Sequence, residues 1–426
     1  MAFRIPDDVS RAIFDKLSLS DVVSILCTSR NLNRICRTIV LMHQCPFEMV
    51  SKVINSFPRA RIKLIIHHKL LNAIHFFGNN IYELNVFHHI NEDNPNIRWS
   101  QLTQLRDLNC CKNDIIQILR GSEVQPPNLS RLHISGGGMD LRRFTKLNHL
   151  QIYRNVMIPL KYNSCMLPTT LTSLYCYNYG VLDLTIWRPF VSTIGTFDML
   201  TTAEFSDIND LIMMVNHASN LTDLGLYHDW RCNYSDGNLF ENFGELTVAN
   251  LRNVTKLCLC GIPSLPSKFL ASMVNCKILE MDFIGATHIK KYLVEMPKVT
   301  NLSFCRISEW QYIVKFFPGV QIMTLNACNF DLPLVGPPLQ LQELNIISCN
   351  LTLSKTILNS SRLRITRSYD IRPVFFTFVT AEHLTCSVML PFSSFDPVLR
   401  KMHLRELSVP NASEFLLAPY RVMPFL

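Results

Sequence analysis

The chain has 426 residues, of which 48% are apolar and 17% charged, with 41 Lys and Arg against 33 Asp and Glu for a formal net charge of +8. An average soluble domain carries about 25% charged residues, so this composition excludes a largely disordered chain, and the length suits two or three compact domains or one elongated array. The bases are scattered singly, the 15 cysteines include no Cys-x-x-Cys pair, and no apolar run approaches a bilayer span of roughly 18 residues, which excludes a nucleic-acid patch, a zinc ribbon, a disulfide framework and a transmembrane helix.

In chain order, the first segment, Met1-Ala2-Phe3-Arg4-Ile5-Pro6-Asp7-Asp8, carries two acids and a proline, which cannot form the apolar core of a signal peptide. A cytoplasmic or nuclear location is expected. Pro6 suits a first helical turn, Asp7 and Asp8 favour the positive end of a helix, and Val9, Ile13, Phe14 and Leu17 form one apolar face. Ser20 or Asp21 can cap a second helix whose apolar positions are Val22, Val23, Ile25 and Leu26. A helical segment of about forty residues is too small to stand alone and needs a partner or a neighbour.

The stretch Ile5 to Val23 resembles an F-box, with Pro6, Val9, Ile13, Phe14, Leu17, Asp21 and Arg30 in register. Ile5 replaces the opening leucine of that motif, Asp8 its glutamate, Thr28-Ser29 its Val-Cys and Leu32 its tryptophan. The resemblance implies that residues 1–40 hold a Skp-type adaptor and through it a cullin, with Ile5, Pro6, Val9, Ile13, Phe14, Leu17, Val22 and Ile25 as contact residues. The plainer alternative is a helical cap for the array that follows. Residues 41–56 are expected to be a helical linker or cap.

Beyond residue 57 a unit of the form L-x-x-L-x-L recurs. Its central residue falls at Leu84, Leu108, Leu132, Leu150 and Leu174, loosely at Ala203, then at Leu224 and Leu257. From there Ile278-x-x-Met281-x-Phe283, Val299-x-x-Leu302-x-Phe304, Val320-x-x-Met323-x-Leu325 and Leu341-x-x-Leu344-x-Ile346 keep a 21-residue period, continued by weaker units at Leu363 and Leu384 and by Leu407. Arg61 to Leu64 is expected to begin the array. Period-two alternation makes each core a short strand that buries one face. Helix-period stretches lie between strands: Leu211, Met214 and Val215; Phe269, Leu270 and Met273; Ile289, Tyr292 and Leu293; Trp310, Ile313 and Val314. Pro297 and Pro318 are expected to stop helices before the next strand.

These units resemble leucine-rich repeats. The resemblance implies an α/β solenoid over residues 57–426, a curved parallel β-sheet with outer helices, preceded by the small helical F-box. That family places Asn or Cys three residues after the last apolar strand position; Asn113, Asn155, Cys328 and Cys349 stand there, whereas Ile262, Ala286 and Ile307 do not. F-box and repeats together imply the substrate-recognition subunit of a cullin-based, SCF-type ubiquitin ligase, with no bond chemistry, metal or cofactor of its own. An interaction scaffold unconnected with ubiquitin is the alternative.

Strand alternation turns His133, then His149, Gln151 and Tyr153, then Tyr175 and Tyr177, then Asp223 and Tyr227 outward. Tyrosine offers apolar area with a polar tip, so His133, His149, Tyr153, Tyr175, Tyr177 and Tyr227 are the candidate contacts to a protein substrate on the concave face, unless the tyrosines merely cover irregular spacing. Later units present Glu280, Asp282, Asn301, Ser303, Thr324, Asn326, Glu343 and Asn345. His67-His68, His75 and His88-His89 lack a metal-ligand spacing, Gly136-Gly137-Gly138 lacks a following Lys-Ser/Thr, and Cys110-Cys111 and Cys258-x-Cys260 lack a neighbouring base. They are read as turn, strand and core residues.

Overall fold

The computed structural model describes residues 21, 42–56, 61–67, 74, 76–87, 98–110, 125–135, 140–155, 165–179, 191–192, 196–206, 208–227, 248–262, 267–282, 293–336, 339–352, 354–411 and 421–423. It falls into two compact units that meet at Leu200 and Thr201 in sequence. Among the described residues no helix is long and apolar enough to cross a membrane.

The first unit is a parallel ladder of β1 (Met42–Cys45), β2 (Arg61–His67), β3 (Ile81–Phe87), β4 (Asp107–Cys110), β5 (Arg131–Ser135), β6 (His149–Asn155) and, past the two-residue β7 (Cys165–Met166), β8 (Ser173–Tyr179). β7 pairs instead with β9 (Val191–Ser192) in a small separate sheet. The ladder register brings Leu64, Leu84, Leu108, Leu132, Leu150 and Leu174 into one row, every one of them 0% exposed. Full burial of a leucine is worth about 1.5–3 kcal/mol, so this row alone is a substantial part of the core. The ladder starts one strand before Arg61, because β1 pairs in parallel with Arg61 to Leu64. Helix Val50–Ser56 makes the return, with Val50 and Val53 buried.

The second unit continues the same design in β10 (Thr202–Phe205), β11 (Asp223–Tyr227), β12 (Lys256–Cys260), β13 (Ile278–Asp282), β14 (Asn301–Cys305), β15 (Ile322–Asn326), β16 (Leu339–Ile347), β17 (Leu358–Thr366), β18 (Val379–Cys386), β19 (Glu406–Ser408) and β20 (Arg421–Met423), all parallel. Its buried row runs Ala203, Leu224, Leu257, Leu279, Leu302, Met323, Leu344, Leu363, Leu384, Leu407. The strict 21-residue phase is therefore corrected at Met281. Leu279, not Met281, pairs with Leu302, and Met281 pairs with Phe304. Cys276-x-x-Leu279-x-Met281 satisfies the same pattern, and all three side chains are buried. A two-residue slip preserves the face on which every side chain lies, so Glu280 and Asp282 still point away from the core.

Connections are shorter than expected. Helices Ile208–His217 and Ser267–Ser272 form where Leu211 and Phe269 predict them, but Trp310–Tyr312 and Val314–Phe316 are 3-10 turns rather than an α-helix. A 21-residue repeat that gives five residues to its strand leaves too few for two closed turns and a helix, and the tighter 3-10 form suits such short pieces. The helix expected around Ile289 and Tyr292 lies outside the described residues. Pro297 and Pro318 start β-turns: Val299 N donates to Met296 O (3.2 Å) and Val320 N to Phe317 O (3.2 Å). These turns stack so closely that a Cβ on Gly319 would come 2.1 Å from the Pro297 carbonyl oxygen.

After β12, β14, β15, β16 and β17 the chain turns through a left-handed residue, Gly261, Arg306, Ala327, Ser348 and Arg367 in turn, whose φ lies between 50° and 68°. Arg306 N, Ala327 N and Ser348 N each donate to a carbonyl of the following strand, at 2.8, 2.9 and 3.0 Å. Behind these turns runs a buried polar row. Cys328 N donates to Cys349 Sγ (3.3 Å), and Cys349 N to Ser368 Oγ (3.2 Å). Cys328 and Cys349 thus occupy the expected turn position, and Ser368 joins them; at Ile262 and Ile307 an apolar side chain fills it. The side chains of Asn113, Asn155 and Ala286 lie outside the described residues. Deeper still, Trp310, Phe330, Phe375, Phe376 and Phe395 form a chain of edge-to-face contacts with ring centroids 5.4–6.0 Å apart.

Candidate functional site

Among the described residues, aromatic side chains cluster on the outward face of the first ladder on β5, β6 and β8. Parallel register sets His133, Gln151 and Tyr175 in one row, and His149 and Ser173 in the next. His133 and His149 meet tilted at 5.4 Å and His149 and Tyr175 tilted at 5.1 Å, while Tyr153 and Tyr177 stack at 5.7 Å and Tyr175 and Tyr177 at 6.4 Å between centroids. Gln151 sits at the centre and donates to the Tyr153 hydroxyl. The five rings therefore form one continuous half-buried surface.

Burial keeps His149 neutral. Burial, and then the proximity of His133 and Arg131, lowers the His149 pKa to about 4, so its imidazole is uncharged at neutral pH and its second nitrogen is a hydrogen-bond acceptor. One strand away Asp107, between Glu83 and Arg131 in the row, has its carboxyl pushed up by burial. Glu83 binds Lys63 at 2.5 Å and accepts from Asn85 at 3.0 Å.

Five of the six predicted substrate contacts meet in this patch. Tyr227 belongs to the second unit, where its ring covers Gly225, a Cβ there meeting Tyr227 Cε2 at 2.8 Å, and its hydroxyl donates to Cys258 Sγ at 3.4 Å. Gln151 was legible by the same alternation that exposes its neighbours and belongs in the set. The eight predicted adaptor contacts, Ile5, Pro6, Val9, Ile13, Phe14, Leu17, Val22 and Ile25, lie outside the described residues, as do Gly136-Gly137-Gly138, Cys111, His68, His75, His88 and His89.

The outward face of the second unit is laced with ion pairs. Lys256 binds Glu280 at 3.0 Å, His383 binds Glu406 at 3.0 Å, and Arg306 forks onto Asp282 with contacts of 2.6 and 3.0 Å. Burial opposes ionisation of Asp282, but the Arg306 fork holds its carboxyl below the usual range. Burial pushes the Cys258 thiol up to about 11 and that of Cys260 up to about 12, so both are protonated at neutral pH and pack as ladder residues. Among the described residues no three His, Cys, Asp or Glu side chains gather as a metal site.

The structure thus defines a protein built on parallel strand ladders, with its polar and aromatic side chains displayed in rows on one face. Comparison with known families adds the N-terminal element: residues 3–44 match the F-box domain. The match ends inside β1, so the F-box sequence runs directly into the first strand of the ladder. No curated protein matches the chain.

Proposed function

We propose that the chain is the substrate-recognition subunit of a cullin-based, SCF-type ubiquitin ligase. In this reading residues 1–40 hold a Skp-type adaptor, and the ladder that begins with β1 forms a leucine-rich-repeat domain whose aromatic patch receives a protein substrate. The match of residues 3–44 to the F-box domain carries the proposal. The patch supports it: rigid aromatic rings around an amide, flanked by paired charges, have the composition of binding hot spots, and the stacked rings lose little side-chain entropy on docking. The chain positions a client for ubiquitin transfer by other subunits and makes or breaks no bond itself.

The deciding experiment is a pull-down with the tagged full-length chain and its Ile13→Asp/Phe14→Asp variant. Wild type should recover a Skp-type adaptor and a cullin, and the variant neither. Equal recovery by both, or recovery by neither, refutes the reading. Tyr153→Ala/Tyr177→Ala should keep the adaptor and lose clients, since truncating hot-spot residues costs about 2 kcal/mol or more each.

A further inference from the structure

The outward face of the second unit changes character at β17. Arg362 and Arg364 alternate on that face, and Arg367 follows in the turn; all three are exposed. The register neighbours of Arg362 and Arg364 are Glu343 and Asn345 on β16, and His383 and Thr385 on β18, while Thr366, just before Arg367, pairs with Ile347. Among these Glu343 is the one carboxylate, 3.7 Å from Arg364. His383 is turned to Glu406. Among the described residues no ion pair engages Arg362 or Arg367.

The contrast with Arg306 shows what is missing. Arg306 and Arg367 hold the same left-handed turn position, with φ of 53° and 52°. Arg306 reaches back to Asp282 on the preceding strand. The residue that stands in that place for Arg367 is Ile347, which has no charge to offer. Among the strand neighbours of this stretch, three guanidinium groups therefore meet one carboxylate. Arg362 and Arg364 are two strand residues apart, about 7 Å, which is also the spacing of alternate side chains in an extended peptide.

We propose that Arg362, Arg364 and Arg367 form a reader for an extended client segment with anionic side chains, carboxylate or phosphate, at alternate positions. Each guanidinium offers a planar fork that binds such oxygens in pairs. The site names the class of client segment and rests on the receptor reading for its role; anion binding itself does not depend on the adaptor.

The test is fluorescence anisotropy of the full-length chain with three labelled short peptides that carry glutamate, phosphoserine or glutamine at the same alternate positions. An anionic peptide should bind and the glutamine peptide should not. Arg362→Gln/Arg364→Gln should weaken that binding about tenfold or more, with Arg362→Lys/Arg364→Lys in between because charge survives and the fork does not. Binding of the phosphoserine peptide alone makes the site a phosphate reader, and binding of both makes it a reader of acidic segments. Lys268→Gln, exposed on the helix that precedes β13 and so several strands from β17, controls for net charge. Equal binding of the glutamine peptide, or unchanged binding by the double glutamine variant with its thermal midpoint intact, overturns the proposal. Ile13→Asp/Phe14→Asp should leave peptide binding untouched, so this inference and the ligase reading fail separately.

Discussion

The neutrality of His149 within the aromatic patch makes a pH-dependent prediction. Its imidazole has an ordinary pKa of 6.5 and one of about 4 in the folded chain. At pH above 6.5 it is neutral in both states and contributes no pH dependence. As pH falls from 6.5 towards 4, the unfolded chain binds a proton that the folded chain refuses, so stability is lost across that window. At about 1.4 kcal/mol per pKa unit a fully buried group would lose about 3 kcal/mol; solvent screening of a half-exposed ring reduces this to about 1–2 kcal/mol. The groups facing His149 are His133, Arg131 and Tyr175. His149→Gln keeps a polar, hydrogen-bonding side chain and removes the proton site. Thermal unfolding of both proteins from about pH 7.5 to about pH 4.5 should show the variant gaining on the wild type by that 1–2 kcal/mol. A difference independent of pH, or an imidazole resonance assigned to His149 that titrates near 6.5, would refute the reasoning.

Two further predictions concern the frame of the second unit. Gly319→Ala would drive a Cβ to 2.1 Å from the Pro297 oxygen and 3.3 Å from the Val299 oxygen, both backbone atoms that cannot swing aside; overpacking of this kind costs about 1–3 kcal/mol, or several degrees in thermal midpoint, and an unchanged midpoint would show that the stacked turns are loose. Cys349→Val removes the sulfur that accepts from Cys328 N and should destabilise by about 1–3 kcal/mol because a buried donor is left without its partner, whereas Cys349→Ser should retain most of the stability; equal urea midpoints for the two variants would contradict a hydrogen-bonding role.

Much of this protein is determined by its sequence. Alternation fixes which side chains face inward, and the positions of Leu84, Leu108, Leu132, Leu150 and Leu174 place five strands in their observed register. Four rings of the patch and its central amide follow by counting residues outward from those leucines, and His133 by the same parity. The F-box motif, too, is a matter of local spacing. These features share one cause: they depend on the parity and periodicity of residues close in the chain.

Other features needed the tertiary structure. The choice between Leu279 and Met281 as partner of Leu302 is invisible to a pattern that both satisfy, and only packing against the next strand decides it. The edge-to-face run from Trp310 to Phe395 joins residues from separate repeats, and nothing in the spacing of Phe330, Phe375 and Phe395 announces it. Tyr227 has the outward parity of Tyr177 yet turns down over Gly225, because a neighbour without a side chain leaves it room. Whether a surface arginine is spent or free is decided the same way: Arg306 has Asp282 one strand back and Arg367 has Ile347. Sequence sets each strand's own faces, but what lies beside a side chain comes from a strand some twenty residues away, and turn length and core packing select that neighbour.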